Sequence, residues 1–252
     1  MIRACVTAFA IWALAVSLSA AQVPDAPALA YQAFKEGRFD EAAKLGAQDA
    51  SAEGLSIAAA ARLAEGRFHL NGDDRITALQ DAQGLARRAI QLDTDHLRAH
   101  IVLAVALGAA AREMGLIDAY FSNNADIGRR EIERCISLSH GSARSRALMG
   151  EWHLEVVRRG GAQLAMMIYG ADIDQGIAAF EQAMDASPDD PIIPAEFGLA
   201  LIALGDERYL PRAGQALNQA LSLAPRDAYE RLTLDQARLA LDQLPQDIKA
   251  KP

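Results

Sequence analysis

The chain has 252 residues, 51% of them hydrophobic and only 6% aromatic, with a formal net charge of -8. That acidic balance, without a clustered Lys/Arg surface, excludes a nucleic-acid binder, which needs cations to displace the counterions of a phosphate backbone. The apolar share is carried by Ala and Leu rather than by β-branched runs, which favours helix over sheet.

The first element is an address. Arg3 precedes an uncharged apolar stretch from Ala4 to Leu18, and Ser19 and Ala21 stand at the minus-three and minus-one positions of a cut before Gln22. Those regions in that order predict a secretory signal peptide over 1–21, and therefore a periplasmic or secreted protein. An uncleaved N-terminal membrane anchor is the alternative, against which the apolar run falls short of the ~20 residues that span a bilayer. Cys5 leaves with the signal, so Cys135 is the one thiol of a mature chain that has no second apolar stretch of membrane length. A single thiol gives no intrachain disulfide.

The mature chain, 22–244, reads as one helical repeat domain, followed by a tail over 245–252 expected to be disordered. Helix pairs are predicted at about 28–48, 54–92, 96–139, 142–187 and 191–224, with a final helix at 228–243. A polar loop at Gly66–Asp74 is expected to break the second pair. Four segments carry one spacing: Ala82-Ala86-Ala89-Thr94, Gly128-Ile132-Cys135-His140, Gly176-Phe180-Ala183-Pro188 and Ala213-Leu217-Ala220-Pro225. Steps of four and three put the first three positions on one helix face, and the fourth lies past the helix end. After three of these turns a second helix follows in constant phase, with Leu103-Ala104 and Leu107, Met149-Gly150 and His153, and Phe197-Gly198 and Leu201. On the final helix, Leu232, Leu239 and Leu241 are expected to face inward, and Glu230, Arg231, Asp235 and Arg238 outward.

This pattern resembles the tetratricopeptide repeat (TPR), whose signature runs W-x2-L-G-x2-Y, then A-x3-F, then P. Gly37, Phe39 and Ala42 match its inter-helix turn, and Phe197-Gly198-Leu201-Gly205-Asp206 with Ala213-Leu217-Ala220-Pro225 form the clearest unit. The chain also resembles the helical domain of the regulator-of-microtubule-dynamics family and bacterial transporter-associated TPR proteins. It departs from the regular array: the turn positions stand 46, 48 and 37 residues apart, where an unmodified array keeps about 34. The surplus falls in two insertions, near Gly115–Asn124 and Gly160–Ile173, and His100, Arg146 and Pro194 stand where the signature has Trp. The resemblance implies an all-α, right-handed TPR-like solenoid of about five helix pairs with a C-terminal capping helix.

It also implies a concave groove lined by the first helix of each pair. The repeat phase places Arg98, Ile101, Val105 and Ala109 there, then Arg144, Ala147 and Glu151, then Ile192, Ala195, Leu199 and Ile202. That would be an apolar trough with two arginines near one edge, unless some of these residues pack against neighbouring helices. The Lys/Asn clamp that some TPR proteins use on a peptide's terminal carboxylate is absent, since Ile101, Val105, Ala147 and Glu151 occupy its positions. A second candidate surface lies on the insertions: Leu116, Ile117, Tyr120 and Phe121 in one, Leu164, Met166, Met167, Ile168 and Tyr169 in the other. Such apolar, Met-rich segments either bind something or fold back over the helix ends.

Chemistry is sparse. His96 and His100 are spaced as two ligands on one helix face, but a closed zinc site wants four ligands and no others stand out. Glu151 and Glu155 flank His153 on one helix with no converging partner. No phosphate loop, metalloprotease motif or serine elbow occurs. These readings give no catalytic, cofactor or metal site, and two expected functions. The first is a non-enzymatic periplasmic or secreted adaptor that binds a protein or peptide. The second is a protein that binds a small apolar or carboxylate ligand, in association with a transporter.

Overall fold

A computed structural model describes residues 25–115, 117–118 and 122–245. The expected signal, nearly all of the tail, and Leu116, Tyr120 and Phe121 of the first insertion lie outside the described residues.

Among these residues the chain forms twelve α-helices and one 3-10 turn. They are α1 (Ala26–Glu36), α2 (Phe39–Asp49), α3 (Ala52–Phe68), α4 (Gly72–Leu92), α5 (Leu97–Glu113) and α6 (Asn124–Leu138). There follow α7 (Ala143–Gly160), α8 (Ala162–Tyr169), α9 (Ile173–Ala186), α10 (Ile192–Ala203), α11 (Leu210–Leu221) and α12 (Ala228–Gln243). Helices α1/α2, α3/α4, α5/α6, α7/α9 and α10/α11 pack as successive antiparallel pairs, so the all-α solenoid of five pairs with a terminal helix is present. Local chemistry sets the starts: Asp25, Ser51, Asp172 and Asp227 each accept a backbone N–H from the first turn of α1, α3, α9 and α12. No helix among the described residues is long and apolar enough to cross a membrane.

The repeated spacing is a burial pattern. Ala82, Ala86, Ala89, Ile132, Cys135, Phe180, Ala183, Ala213, Leu217 and Ala220 are all buried, while Thr94, His140, Pro188 and Pro225 stand in the turns. Small residues at these positions let helices touch. At Gly150 an added Cβ would lie 2.7 Å from the Phe180 ring and 2.8 Å from the Gly176 carbonyl oxygen. Beside that crossing the Phe180 and Phe197 rings stack at 4.9 Å and join the α7/α9 pair to α10. Burying side chains of this size contributes about 1.5–3 kcal/mol each.

Two expected boundaries move. Helix α3 runs through Gly66 to Phe68 and α4 starts at Gly72, so the polar break shrinks to three residues. Asp73 and Asp74 sit in the first turn of α4, where carboxylates meet the positive end of the helix dipole. The second insertion is mostly helical, forming α8.

The largest difference from a plain solenoid is at its end. Helix α12 packs on α10 and α11 and also reaches α1, so the array closes on itself. Tyr229 stacks on Phe34 at 6.3 Å and meets Phe68 edge-on at 5.2 Å. This docking reverses two expectations for α12. Glu230 is 3% exposed, whereas Leu239 is 64% exposed, because the buried stripe runs Glu230-Thr233-Leu234-Ala237.

Candidate functional site

Closing the ring leaves a central cavity of about 520 Å³ whose wall includes α3, α5, α7 and α10, the first helices of their pairs. Its polar lining is a lattice of ion pairs. Arg67 meets Glu196 at 2.6 Å, Arg75 meets Glu113 at 3.1 Å, Arg112 meets Glu151 at 2.6 Å, and Arg158 meets Glu155 at 2.7 Å. Burial works against the Arg67 charge, but Glu196, Tyr229 and Glu151 outweigh it and hold the guanidinium above its ordinary pKa. At Glu196 burial dominates over the attraction of Arg67, Glu151 adds like-charge repulsion, and the carboxyl sits above its usual range. Four arginines face four glutamates, so the cavity is internally neutralised.

A second cavity, about 410 Å³, lies beneath α8. Its wall comes from α5 (Ala104, Leu107, Ala111), α6 (Ile132), α7 (Leu148, Val156) and α8 (Leu164, Ile168), and is almost entirely carbon. Trp152 fixes the corner by donating its indole N–H to the Ala125 carbonyl at 2.9 Å, while Arg129 lies over its ring at 5.2 Å. Helix α8 anchors through Ala165, 1% exposed, and through Tyr169, whose carbonyl accepts from Arg129 at 2.8 Å. Glycines bound it on both sides. Gly161 (φ +76°, ψ 153°) and Gly170 (φ +65°) adopt backbone that other residues rarely enter. Val105, Arg112, Glu151 and Glu155 line both cavities, so the Arg112 ion pairs form the partition between them.

The sequence-derived groove residues separate into distinct places. Val105 and Glu151 stand in the partition, and Leu199 lines the central cavity. Ile202 packs between two core clusters, and Ile101 and Ile192 are half-buried. The two arginines do not share an edge. Arg98 donates to Glu53 at 2.6 Å and Ser56 at 3.3 Å, over the Tyr31 ring. Arg144 instead clamps Asp190 at 2.5 Å and Glu230 at 2.8 Å. In the insertions, Tyr169 is half-buried in the lining of the apolar cavity, and Met166 and Met167 point outward, 46% and 75% exposed.

Sequence reasoning missed Gly108 and Arg159 and took Gly128 only as a repeat position, yet all three line the apolar cavity. Their signal was faint: two glycines inside strongly helical stretches and an Arg-Arg-Gly-Gly run at an insertion boundary. Three histidines are held by neighbouring groups. His100 pairs with Glu131 at 2.5 Å and the Thr94 carbonyl at 3.0 Å, and His96 with Glu53 at 3.1 Å. The His153 Nδ1 accepts the Asp172 N–H at 3.1 Å. No three His, Cys, Asp or Glu side chains among the described residues gather as a metal site would need.

The fold is TPR-like. The structure superposes on the crystal structure of a thermophilic TPR protein from Thermus thermophilus with a TM-score of 0.59 at 18% identity, covering 85% of this chain and 97% of that one. No protein-family model matches the chain, and no curated protein matches it.

Proposed function

We propose that the chain is a non-enzymatic scaffold that acts outside the cytoplasm, in the periplasm or as a secreted protein, and holds a protein partner against the outer face of α8. One observation carries this reading. Helix α8 presents Leu164, Met166, Met167 and Ile168 at 46–75% exposure, beside Ile117 at 72%. Contiguous apolar exposure on that scale marks interaction sites, and methionines adapt to an apolar partner surface. The central cavity is the weaker docking place, because its ion pairs already satisfy one another.

A photo-crosslinking residue at Met167 should give a discrete adduct with one envelope protein, and the same residue at the similarly solvent-facing Leu239 should not. Identical adducts from both positions, or none at Met167, defeat the reading. N-terminal sequencing of the exported protein should begin at Gln22; a chain retaining Arg3 in the membrane fraction would replace the cleaved signal with an anchor. A second reading, a binding protein for a small apolar or carboxylate ligand, is favoured by the cavity beneath α8.

A further inference from the structure

Two helical glycines, Gly108 in α5 and Gly128 in α6, face space instead of a neighbour. Among the described residues, a Cβ built on either meets no atom within 4 Å, although Gly128 is buried. Elsewhere in this fold a buried helical glycine marks where helices touch, as at Gly198, where a Cβ would come within 2.6 Å of Leu217. Glycine weakens a helix interior relative to alanine, and at Gly108 and Gly128 no close contact offsets that loss. What the missing side chains leave is the floor of the apolar cavity.

The cavity has one unsatisfied demand. Of the two arginines in its lining, Arg112 is neutralised by Glu151 at 2.6 Å and Glu155 at 3.6 Å. Arg159 donates from Nη2 to the Met114 carbonyl oxygen at 2.9 Å, and no carboxylate among the described residues pairs with it. A half-buried guanidinium beside a carbon-lined space calls for an anion with an apolar tail. The volume of about 410 Å³ lies low in the range of small-molecule sites, about 300–1,000 Å³, and suits one alkyl chain better than two.

We infer that this cavity takes a single-chain fatty carboxylate, its tail against Gly108 and Gly128 and its head group on Arg159, with α8 as the roof. The inference rests on the small-ligand reading and names its ligand class. Leu164 and Ile168, half-exposed yet in the lining, mark the edge of that roof.

Isothermal titration of the full mature chain tests it with octanoate, decanoate and dodecanoate, and with decanol and decyl phosphate as head-group controls. Decanoate should bind saturably, and affinity should rise about fourfold per added methylene until the cavity fills. Arg159→Gln should weaken decanoate about tenfold and leave decanol unchanged. Gly108→Leu should abolish binding of both while the melting temperature holds or rises, since leucine strengthens the helix; Gly128→Leu serves as a second block. Equal binding of decanoate and decanol by the wild type, or an Arg159→Gln variant that keeps its preference, overturns the carboxylate and leaves the small-ligand reading standing. Tighter binding of decyl phosphate than of decanoate overturns it in favour of a phosphate head. No saturable binding by any probe, or binding that survives both glycine substitutions, removes the cavity as the ligand site altogether.

Discussion

Arg67 of α3 and Glu196 of α10 meet at 2.6 Å across 129 positions of sequence, with both side chains at least four-fifths buried. Arg67 also donates to the Tyr229 hydroxyl at 3.0 Å, so one guanidinium ties the second helix pair to the fifth and to the terminal helix. Removing one partner of a buried pair leaves an uncompensated charge, which costs about 3–5 kcal/mol. Glu196→Ala should therefore shift the urea midpoint strongly, and Arg67→Met with Glu196→Met should recover most of the loss. An Ala variant of unchanged stability would mean that the ring closes without this pair.

The two kinds of helical glycine predict substitutions of opposite sign. Gly150→Ala places a methyl 2.7 Å from Phe180 and 2.8 Å from a backbone oxygen and should destabilise by about 1–3 kcal/mol. Gly108→Ala meets no atom of the described residues within 4 Å and should stabilise by about 0.5–1 kcal/mol through helix propensity. Thermal melts of the two variants check both, and a common sign would contradict the packing described.

Arg144 is predicted to serve stability. It bridges α7 to the α9–α10 turn and to α12 through Asp190 and Glu230, whose side chains are 7% and 4% exposed. Because Arg144 itself is 46% exposed and Arg226 also reaches Glu230 at 2.7 Å, solvent and the second arginine soften its loss. Arg144→Ala should cost about 1 kcal/mol and leave decanoate affinity unchanged. A selective loss of ligand binding would assign it to the site instead.

His153 makes stability depend on pH. Burial, with Arg129 adding repulsion, holds its pKa below the ordinary 6.5. The unfolded chain thus takes up a proton at a pH where the folded chain does not. Its contribution is complete above about 6.5, falls as pH drops through that value, and levels off once the folded imidazole also titrates. Urea midpoints measured between about pH 7 and 5 should show a slope that His153→Gln reduces.

Cys135 should be inert in the native state. It is fully buried, and burial with nearby Glu131 pushes its thiol up to about 12. Labelling with a thiol reagent at neutral pH should therefore track global unfolding. Rapid labelling of the folded chain would show that α6 opens locally.

The repeat was legible because it is local. Steps of four and three bring Gly176, Phe180 and Ala183 onto one face of α9 whatever the rest of the chain does, and Phe197-Gly198-Leu201 answers on α10 in the same phase. The functional surfaces were less so. Val105, Glu151 and Leu199 could be placed on inward faces by phase alone, but phase says nothing of what stands opposite. Gly108 and Gly128 are informative through the absence of a neighbour, which no sequence records.

By itself the sequence determined an all-helical chain of paired helices, the small residues at their crossings, and the two insertions that interrupt the spacing. These follow from intrachain periods of a few residues, where backbone geometry dictates which side chains share a face. Only the tertiary structure decided that α12 returns to α1, that Arg67 finds Glu196, and that α8 roofs a cavity with Arg159 in its wall. Those contacts depend on small rotations accumulated over successive helix pairs, and the stretched spacing between turns makes their sum unreadable from any one repeat.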